Sequence, residues 1–279
     1  MTFPSTFSVV AVAPATGEIG IAVQSKFLSV GAVVPWVRCG AGAIASQAFA
    51  NTSYGPRALD LLAKGAHPSD IAGDLIADDC GREDRQFGIV DMQGRAATFT
   101  GANCIFWAGV VGEAFAVQGN CLAGSSVVTA LEETMRDSTA RPSSTPHRAY
   151  RFIASLRAAQ AEGGDKRGQQ SAALIIEKQG GGYAGFNDRY VDLRVDDHAR
   201  PIEELARLLE LHKLYFFAPE PEDIYPIDAA MRAEIDREIH RVRAASLLEF
   251  MRVENLENRL REDGCIDRQT LEYLRSYNH

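Results

Sequence analysis

The feature that most constrains this chain is a repeated pairing of short apolar segments across tight turns. Ser8–Ala13 and Glu18–Val23 are two such segments, separated by Pro14–Gly17, and Gln86–Asp91 and Arg95–Thr100 flank a short turn that ends in glycine. Strands joined by tight hairpins are antiparallel, because a parallel pair needs a long crossover connection. The sequence therefore predicts antiparallel sheets and argues against a doubly wound parallel sheet.

Helical patterns fall in groups between these strands. Further strands are predicted at Gly42–Gln47, Glu113–Gln118, Ser171–Glu177 and Tyr190–Val195. Helices are predicted at Gly55–Gly65, Ser69–Asp79, Ser125–Asp137, His147–Ala161 and Pro201–Phe217. Two stacked antiparallel sheets have two outer faces to cover, and the helices come in the groups needed to cover them. We therefore predict an α+β fold, a four-layer αββα sandwich.

The chain of 279 residues can hold one full-sized core and an appendix. Residues 1–217 are predicted to form the sandwich domain, with an exposed Ser/Thr/Pro loop at 138–146. Residues 218–226 are acidic and proline-rich, which is typical of a linker. Residues 227–279 are highly charged and predict a small all-helical C-terminal unit, whose last helix begins after Asp267 as its cap.

Charge and composition exclude several classes of partner. The net charge is −8 without a clustered basic face, so a nucleic-acid partner is not expected. No apolar run approaches the ~20 residues that span a bilayer, and the N-terminus lacks the pattern of a signal peptide, so we expect a cytoplasmic protein with no membrane partner. The five cysteines are widely spaced, which indicates ordinary thiols rather than disulfides or a zinc site. No cofactor is expected.

Four polar clusters interrupt the apolar strands at their ends. They are Gln24-Ser25-Lys26, Ser46-Gln47 with Asn51, Gln118-Gly119-Asn120, and residues 163–171 with Asp165 and Ser171. Buried polar groups need partners or water, so each cluster alone can be a satisfied turn. Together, four such strand ends favour one shared cleft. A desolvated lysine such as Lys26 can have a lowered pKa and then help to activate a hydroxyl.

A separate acidic group leaves two interpretations open. Asp196, Asp197 and His198 follow Asp192 closely enough to bind a divalent ion. Alternatively, Asp196 and Asp197 lie before the helix at 201 and stabilise its N-terminus, while Asp192 pairs with a neighbouring arginine. Elsewhere the sequence has no G-x-S-x-G, P-loop, H-E-x-x-H or C-x-x-C motif.

Several segments resemble one bacterial family. They are residues 6–11, 23–28 and 31–36, Asn51 with Tyr54-Gly55-Pro56, and residues 85–91, 117–120, 163–168 and 192–198. Over roughly Thr6–Phe217 the chain resembles the domain-of-unknown-function family ten twenty-eight, which is assigned to the N-terminal-nucleophile (Ntn) hydrolase fold, an αββα sandwich. The tail from about Leu247 to Arg275 resembles a peptidoglycan-binding module attached to some of these proteins, although a packing or dimer-forming appendix is favoured.

The resemblance implies a nucleophile. In Ntn hydrolases the first residue supplies both the hydroxyl and, through its free α-amino group, the base. Here that residue would be Thr6, and five residues precede it, so Met1–Ser5 would have to be removed. The expected activity is an amidohydrolase acting on a small C–N amide; the alternative is a non-catalytic protein that binds a small ligand.

These considerations define the candidate residues. The catalytic candidates are Thr6, Ser25, Lys26, Asn120 and Ser171, and the substrate-binding candidates are Gln24, Gln47, Asn51, Gln118 and Asp165. A homodimer is also predicted, because the tail holds many large apolar residues for its size. They are Leu247, Leu248, Phe250, Met251, Val253, Leu256, Leu260, Leu271 and Leu274.

Overall fold

The computed structural model describes residues 5–104, 106–139 and 145–277. Residues 1–4 and most of the loop predicted at 138–146 therefore lie outside the described residues. The contacts divide the chain into two compact units, Met1–Leu209 and Glu210–His279. The division falls earlier than the boundary predicted after residue 217.

The first unit contains two antiparallel sheets, as the hairpins predicted. Its strands are β1 Thr6–Ala13, β2 Glu18–Ser25, β3 Pro35–Arg38, β4 Gly42–Ala48, β5 Arg85–Asp91, β6 Ala96–Thr100, β7 Gly109–Gly112, β8 Phe115–Asn120, β9 Ser171–Glu177 and β10 Arg189–Val195. One sheet has the order β10-β9-β2-β1-β8-β7 and the other the order β3-β4-β5-β6. Every pair in both sheets is antiparallel.

Helices pack on both sheets. They are α1 Tyr54–Ala63, α2 Pro68–Ala77, α3 Ser126–Thr139 and α4 Thr145–Ala161. A further helix, α5 Pro201–Phe216, follows β10 in the chain. The pair α1 and α2 contacts the four-stranded sheet, and the pair α3 and α4 contacts the six-stranded sheet. The start of α2 is set locally: Pro68 occupies the first turn, and Nδ1 of His67 accepts a hydrogen bond from the Ser69 amide at 3.2 Å.

The core between the two sheets determines where the polar strand ends lie. Val10 and Val12 of β1 pack there against residues of the other sheet that include Ala43 and Val90. Side chains alternate between the faces of a strand, so residues two apart share a face. Thr6 therefore lies on the face that meets the opposite sheet, at the first position of β1.

The second unit is not all-helical, so that part of the predicted fold is wrong. Besides α6 Ala229–Arg241, α7 Leu247–Val253 and α8 Arg268–Ser276, it contains β11 Ile224–Pro226 paired antiparallel with β12 Cys265–Asp267. The prolines and acidic neighbours of residues 224–226 predict a linker, whereas the structure pairs these residues as a strand. The predicted cap of the last helix is confirmed: the Asp267 carboxylate accepts a hydrogen bond from the Thr270 amide at 3.1 Å.

Most of the large apolar residues of the tail pack inside this second unit. Phe250, Met251, Leu256, Leu271 and Leu274 are buried in one cluster. The observation that motivated the predicted dimer is therefore largely accounted for within the unit. The dimer itself stays a prediction. Among the described residues, no helix is both long and apolar enough to cross a membrane.

Candidate functional site

Four neighbouring strands of the six-stranded sheet each have one terminus at the same end of the sheet. In the register of the sheet, Thr6 of β1 lies opposite Ser25 of β2 on one side and opposite Asn120 of β8 on the other. Ser25 in turn lies opposite Ser171 of β9. Four of the predicted catalytic residues are thus side by side, although they come from segments far apart in the sequence.

The Thr6 hydroxyl is part of a short chain of hydrogen bonds. Thr6 is only 3% exposed, and its Oγ1 donates to Ser25 Oγ at 3.1 Å. Ser25 Oγ donates to the carbonyl oxygen of Ser5 at 2.5 Å, and Nη2 of Arg167 donates to the same oxygen at 3.0 Å. The carbonyl that immediately precedes Thr6 therefore accepts two hydrogen bonds, one of them from a cation.

Asp165 holds Arg167 in this position. Its buried carboxylate accepts hydrogen bonds from the Arg167 amide at 2.9 Å and from Nη2 of the guanidinium at 3.0 Å. It also accepts from the Lys26 amide at 2.8 Å, just beyond the end of β2. Asp165 was predicted to bind substrate; in the structure it fixes an arginine and a strand end beside Thr6.

A pocket with a volume of about 220 Å³ opens next to Thr6. Its lining consists of Thr6, Phe27, Val30, Val33, Val34, Gln47, Ala48, Phe49 and Ala50. Among the described residues, Thr6 and Gln47 are the only polar ones in this lining, and none of the nine is ionisable. The Thr6 hydroxyl therefore belongs to a wall that is otherwise almost wholly apolar.

Two non-glycine residues at strand ends near this site have left-handed backbone conformations. Ala48 of the pocket lining has a φ of 62°, and Cys121, directly after Asn120, has a φ of 50°. Such conformations are uncommon for residues with a Cβ and concentrate at functional sites. Their position at the ends of β4 and β8 agrees with a site at this edge.

Gln47 lies behind Thr6, on the four-stranded sheet. Its Nε2 donates to the Thr6 carbonyl oxygen at 3.3 Å and to Gln86 Oε1 at 2.8 Å. Its Oε1 accepts from Ser8 Oγ at 2.5 Å. Both ends of this amide are therefore engaged within the protein.

Gln86 is a member of this network that the sequence analysis missed. It is fully buried, and its Oε1 also accepts from Nδ2 of Asn120 at 2.8 Å. Its Nε2 donates to the carbonyl oxygen of Gly119 at 2.9 Å. The signal was present, since Gln86 is a polar residue at the start of an apolar strand, like the residues that were chosen.

Two network atoms lack a partner. Gln118 donates from Nε2 to Ser8 Oγ at 2.6 Å, whereas its Oε1 has no hydrogen-bond partner among the described residues. The same holds for Oδ1 of Asn120. Both side chains are buried, so both predicted candidates belong to the wall between the sheets rather than to an exposed surface.

The structure does not bring Lys26 to Thr6. The Lys26 side chain is exposed, and its Nζ donates to the carbonyl oxygen of Gln169 at 3.2 Å. Ser171 uses its hydroxyl for the backbone: Oγ donates to the Phe27 carbonyl at 2.5 Å and accepts from the Val30 amide at 3.0 Å. Ser171 thus fixes the segment that forms one wall of the pocket.

Gln24 lies on the opposite face of β2 from Ser25, because neighbouring residues of a strand alternate. It is fully buried, and neither atom of its amide group has a hydrogen-bond partner among the described residues. The structure therefore separates it from the pocket, which it was predicted to line.

Asn51 belongs to a polar cluster around Asp79. Oδ2 of Asp79 accepts from Asn51 Nδ2 at 3.1 Å, from Tyr54 OH at 2.7 Å and from Arg85 Nε at 2.9 Å. The guanidinium of Arg85 holds the pKa of Asp79 well below its usual range, and burial raises the pKa of Tyr54. Nη1 of Arg85 also donates to the Phe49 carbonyl at 2.8 Å, which fixes the lip of the pocket.

The acidic segment does not form a metal site. Among the described residues, no group of three or more His, Cys, Asp or Glu side chains is arranged to hold a metal ion. Asp197 accepts from Nε2 of Gln170 at 3.1 Å, and Nδ1 of His198 accepts from the Arg200 amide at 3.1 Å. The Asp196, Asp197 and His198 alternative therefore finds no support. Asp192 pairs with neighbouring arginines, as the other interpretation held.

The fold and the site together define a mixed α/β protein with two antiparallel sheets and a threonine at the polar end of an apolar pocket. The chain belongs to the family of unknown function DUF1028, whose sequence model matches residues 6–205. A second model, described as "Putative peptidoglycan binding domain", matches residues 232–274.

A solved structure supports the same assignment. The chain is similar to the crystal structure of protein SPO2555 from Silicibacter pomeroyi, itself assigned to DUF1028, with 32% identity and a TM-score of 0.66. The similarity covers 76% of this chain and 88% of that chain. No curated protein matches the chain.

Proposed function

We propose that this protein is an Ntn-type amidohydrolase that cleaves a small C–N amide with Thr6 as its nucleophile. The observation that carries the proposal is the position of the Thr6 hydroxyl. It lies at the first residue of β1, in the wall of a pocket, directly after a carbonyl that accepts hydrogen bonds from Ser25 and Arg167.

The arrangement of the layers supports the proposal. Helices α1 and α2 contact one sheet, helices α3 and α4 contact the other, and the apolar core lies between the sheets. We interpret this as the αββα sandwich of Ntn hydrolases, in which the nucleophile begins a central strand. Thr6 has that position, between β2 and β8.

The first step of the proposed mechanism frees the Thr6 amine. Oγ1 of Thr6 attacks the carbonyl carbon of Ser5, and the charge that develops on its oxygen is stabilised by Ser25 Oγ and the Arg167 guanidinium. The C–N bond breaks, the nitrogen takes the proton that Oγ1 gives up, and an ester joins Ser5 to Oγ1. Water hydrolyses this ester, which leaves a carboxylate on Ser5 and a free amine and hydroxyl on Thr6.

The second step is turnover. The freed amine, with an ordinary pKa of about 8, accepts the Oγ1 proton as Oγ1 attacks the substrate carbonyl. The substrate C–N bond breaks, and the proton passes to the departing nitrogen. Water then hydrolyses the acyl ester, which releases the carboxylic acid and restores the Thr6 hydroxyl.

Intact-mass spectrometry of the purified protein tests the proposal. We expect a chain that starts at Thr6, an unprocessed and inactive Thr6→Ala variant, and processing in Thr6→Ser, which keeps a nucleophilic hydroxyl. A Ser25→Ala variant should process more slowly, because it loses one donor to the Ser5 carbonyl. Processing or amide turnover that survives in Thr6→Ala would disprove the mechanism.

A second candidate is a non-catalytic protein that binds a small ligand in the same pocket. It is favoured by one observation: Thr6 is only 3% exposed, and its nitrogen is in the peptide bond that follows the hydrogen-bonded Ser5 carbonyl. A full-length mass under all conditions, together with ligand binding, would select this candidate.

A further inference from the structure

We propose that the pocket beside Thr6 binds an uncharged, apolar acyl group, so that the substrate is the amide of a short apolar carboxylic acid. For its chemistry this inference rests on the proposed function; for binding it stands on the pocket alone. Seven of the nine lining residues are apolar, and they include Phe27, Val33 and Phe49.

Two arginines that bind the backbone beside the pocket, Arg85 and Arg167, are already occupied. Nη1 of Arg85 donates to the Phe49 carbonyl, and its Nε donates to Asp79. Nη2 of Arg167 donates to the Ser5 carbonyl and to Asp165. A carboxylate or ammonium group on the ligand would lose its water here without gaining a charged partner, which is costly.

The polar residues of the lining leave one group for a ligand. Both ends of the Gln47 amide are engaged, with Ser8 at Oε1 and with Gln86 and Thr6 at Nε2. The hydrogen of the Thr6 hydroxyl is donated to Ser25 Oγ, which leaves the Oγ1 atom to face the carbonyl carbon of the substrate amide. An acyl group attached to that carbonyl therefore extends along apolar surface.

The size of the pocket limits the acyl group. A volume of about 220 Å³ equals the share of roughly seven water molecules, which corresponds to roughly six to eight non-hydrogen atoms. A hexanoyl or benzoyl group has this size. Phe27 and Phe49 of the lining are 42% and 58% exposed, so both can contact an apolar ligand that enters the pocket.

The test measures binding of primary amides to the full chain carrying Thr6→Ala, by ligand-observed NMR titration. We expect affinity to rise about fourfold for each added methylene from acetamide through butyramide to hexanamide. Succinamate, which places a carboxylate at the end of a chain as long as butyramide, should bind at least about tenfold more weakly than butyramide. A flat series, or equal binding of succinamate, would overturn the inference.

Two variants locate the binding. Phe49→Lys adds a cation at the lining, so the affinity for hexanamide should fall and the affinity for succinamate should rise, each at least about threefold. The matched control is Phe186→Lys, at an 89% exposed residue outside the pocket, which should change neither affinity. Val33→Phe should fill the pocket, so that affinity no longer rises from acetamide to the longer amides. Val111→Phe, at a residue outside the lining, should leave this rise unchanged. Controls that behave like their partner variants would overturn the location.

The outcomes separate the two proposals. If Thr6→Ala binds hexanamide as expected but the protein with Thr6 never hydrolyses it, the proposed catalysis fails and the pocket assignment stands. If the protein hydrolyses succinamate as fast as butyramide, the catalysis stands and the pocket assignment fails. N-alkyl acetamides lengthen the amine side of the amide instead of the acyl side. If affinity rises equally along such a series, the assignment of the pocket to the acyl group is wrong.

Discussion

At the scale of single residues, one carboxylate joins three elements next to the pocket. Asp79 follows α2 and accepts hydrogen bonds from Tyr54 of α1 and from Arg85 of β5. Its side chain is 11% exposed and that of Arg85 is 17% exposed, so the pair is largely shielded from water. Because Arg85 also holds the Phe49 carbonyl, this ion pair supports the pocket lip.

Asp79→Asn should lower the free energy of unfolding by about 2–4 kcal/mol at pH 7, because it leaves Arg85 without its anionic partner. The pKa of Asp79 is lowered in the folded state, so its contribution is complete above the unfolded pKa of about 3.9 and is lost as the pH falls toward the folded value. The difference between the two proteins should therefore shrink below about pH 4. Urea unfolding at pH 7 and pH 3 measures it.

The matched control is Asp60→Asn, which breaks the exposed pair between Arg38 and Asp60. An exposed pair contributes less than about 1 kcal/mol, so this change should be small. A difference for Asp79→Asn that is the same at both pH values would contradict the role assigned to the ionised carboxylate.

At the scale of elements, α1 approaches β3 through a position that only glycine fits. A Cβ placed on Gly55, in the first turn of α1, would lie 2.1 Å from the Trp36 ring of β3. The indole is held in place by a hydrogen bond, since its Nε1 donates to the Val33 carbonyl at 3.1 Å. The packing of this helix on the sheet edge therefore depends on the missing side chain.

Gly55→Ala should destabilise the protein by about 1–3 kcal/mol, because the added methyl group displaces the Trp36 ring. Gly73→Ala, in the middle of α2, is the matched control: nothing lies within 4 Å of its added Cβ, so alanine should stabilise the helix by roughly 0.5–1 kcal/mol. Thermal unfolding followed by tryptophan fluorescence measures both changes. Equal shifts of the same sign for the two variants would contradict the packing argument.

Two short strands, β3 and β7, are not predicted from the sequence. β3 Pro35–Arg38 and β7 Gly109–Gly112 are four residues long, and none of their residues is buried. A strand so short gives too few positions to show a period of two. Longer strands such as β1 and β9 were recognised because their buried residues form continuous apolar runs.

At the scale of the whole molecule, a buried ion pair organises the second unit. Nη1 of Arg259 donates to Asp267 at 2.8 Å, and its Nε and Nη2 donate to the carbonyls of Leu214 and Lys213 at 2.8 and 2.6 Å. These two carbonyls lie near the end of α5, where backbone groups run out of partners within the helix, so the guanidinium binds the last turn; the Lys213 carbonyl also accepts from the Phe217 amide at 3.2 Å.

Arg259→Ala should remove these bonds and leave Asp267 buried without its cation, at a cost of about 3–5 kcal/mol to the second unit. We expect amide hydrogen exchange to accelerate in peptides from residues 210–277, with peptides from β1 and β9 as the internal reference. Arg261→Ala is the control, because Arg261 pairs with the more exposed Asp263. Unchanged exchange in Arg259→Ala would contradict this role.

The predicted homodimer is tested by light scattering on the full chain and on a chain without residues 227–279. If the tail contributes to the contact, the full chain should have the mass of a dimer and the shortened chain that of a monomer. Exposed apolar residues remain in the tail for such a contact, with Val253 at 68% and Leu248 at 43%. A full chain with the mass of a monomer would disprove the dimer. A shortened chain that is still a dimer would show that the tail does not contribute to the contact.

Which side chains meet at the candidate site depends on distances between segments, and the sequence does not contain these distances. Thr6, Ser25, Asn120 and Ser171 were chosen because each is polar at a strand end, and the register of four strands places them together. Lys26 was chosen for the same reason, but its side chain lies in solvent one residue beyond the end of β2. A strand end predicts that a polar group is needed, not the direction in which the next side chain points.

The sequence by itself determined what is local: the hairpins, the helix groups and the cap at Asp267, because turn chemistry, periodicity and capping act within a few residues. The tertiary structure decided which distant groups meet. It placed Gln47 and Gln86 of one sheet behind Thr6 of the other, and it paired residues 224–226 with 265–267. These contacts depend on how the sheets stack and how strands align over tens of residues, and no local pattern encodes either.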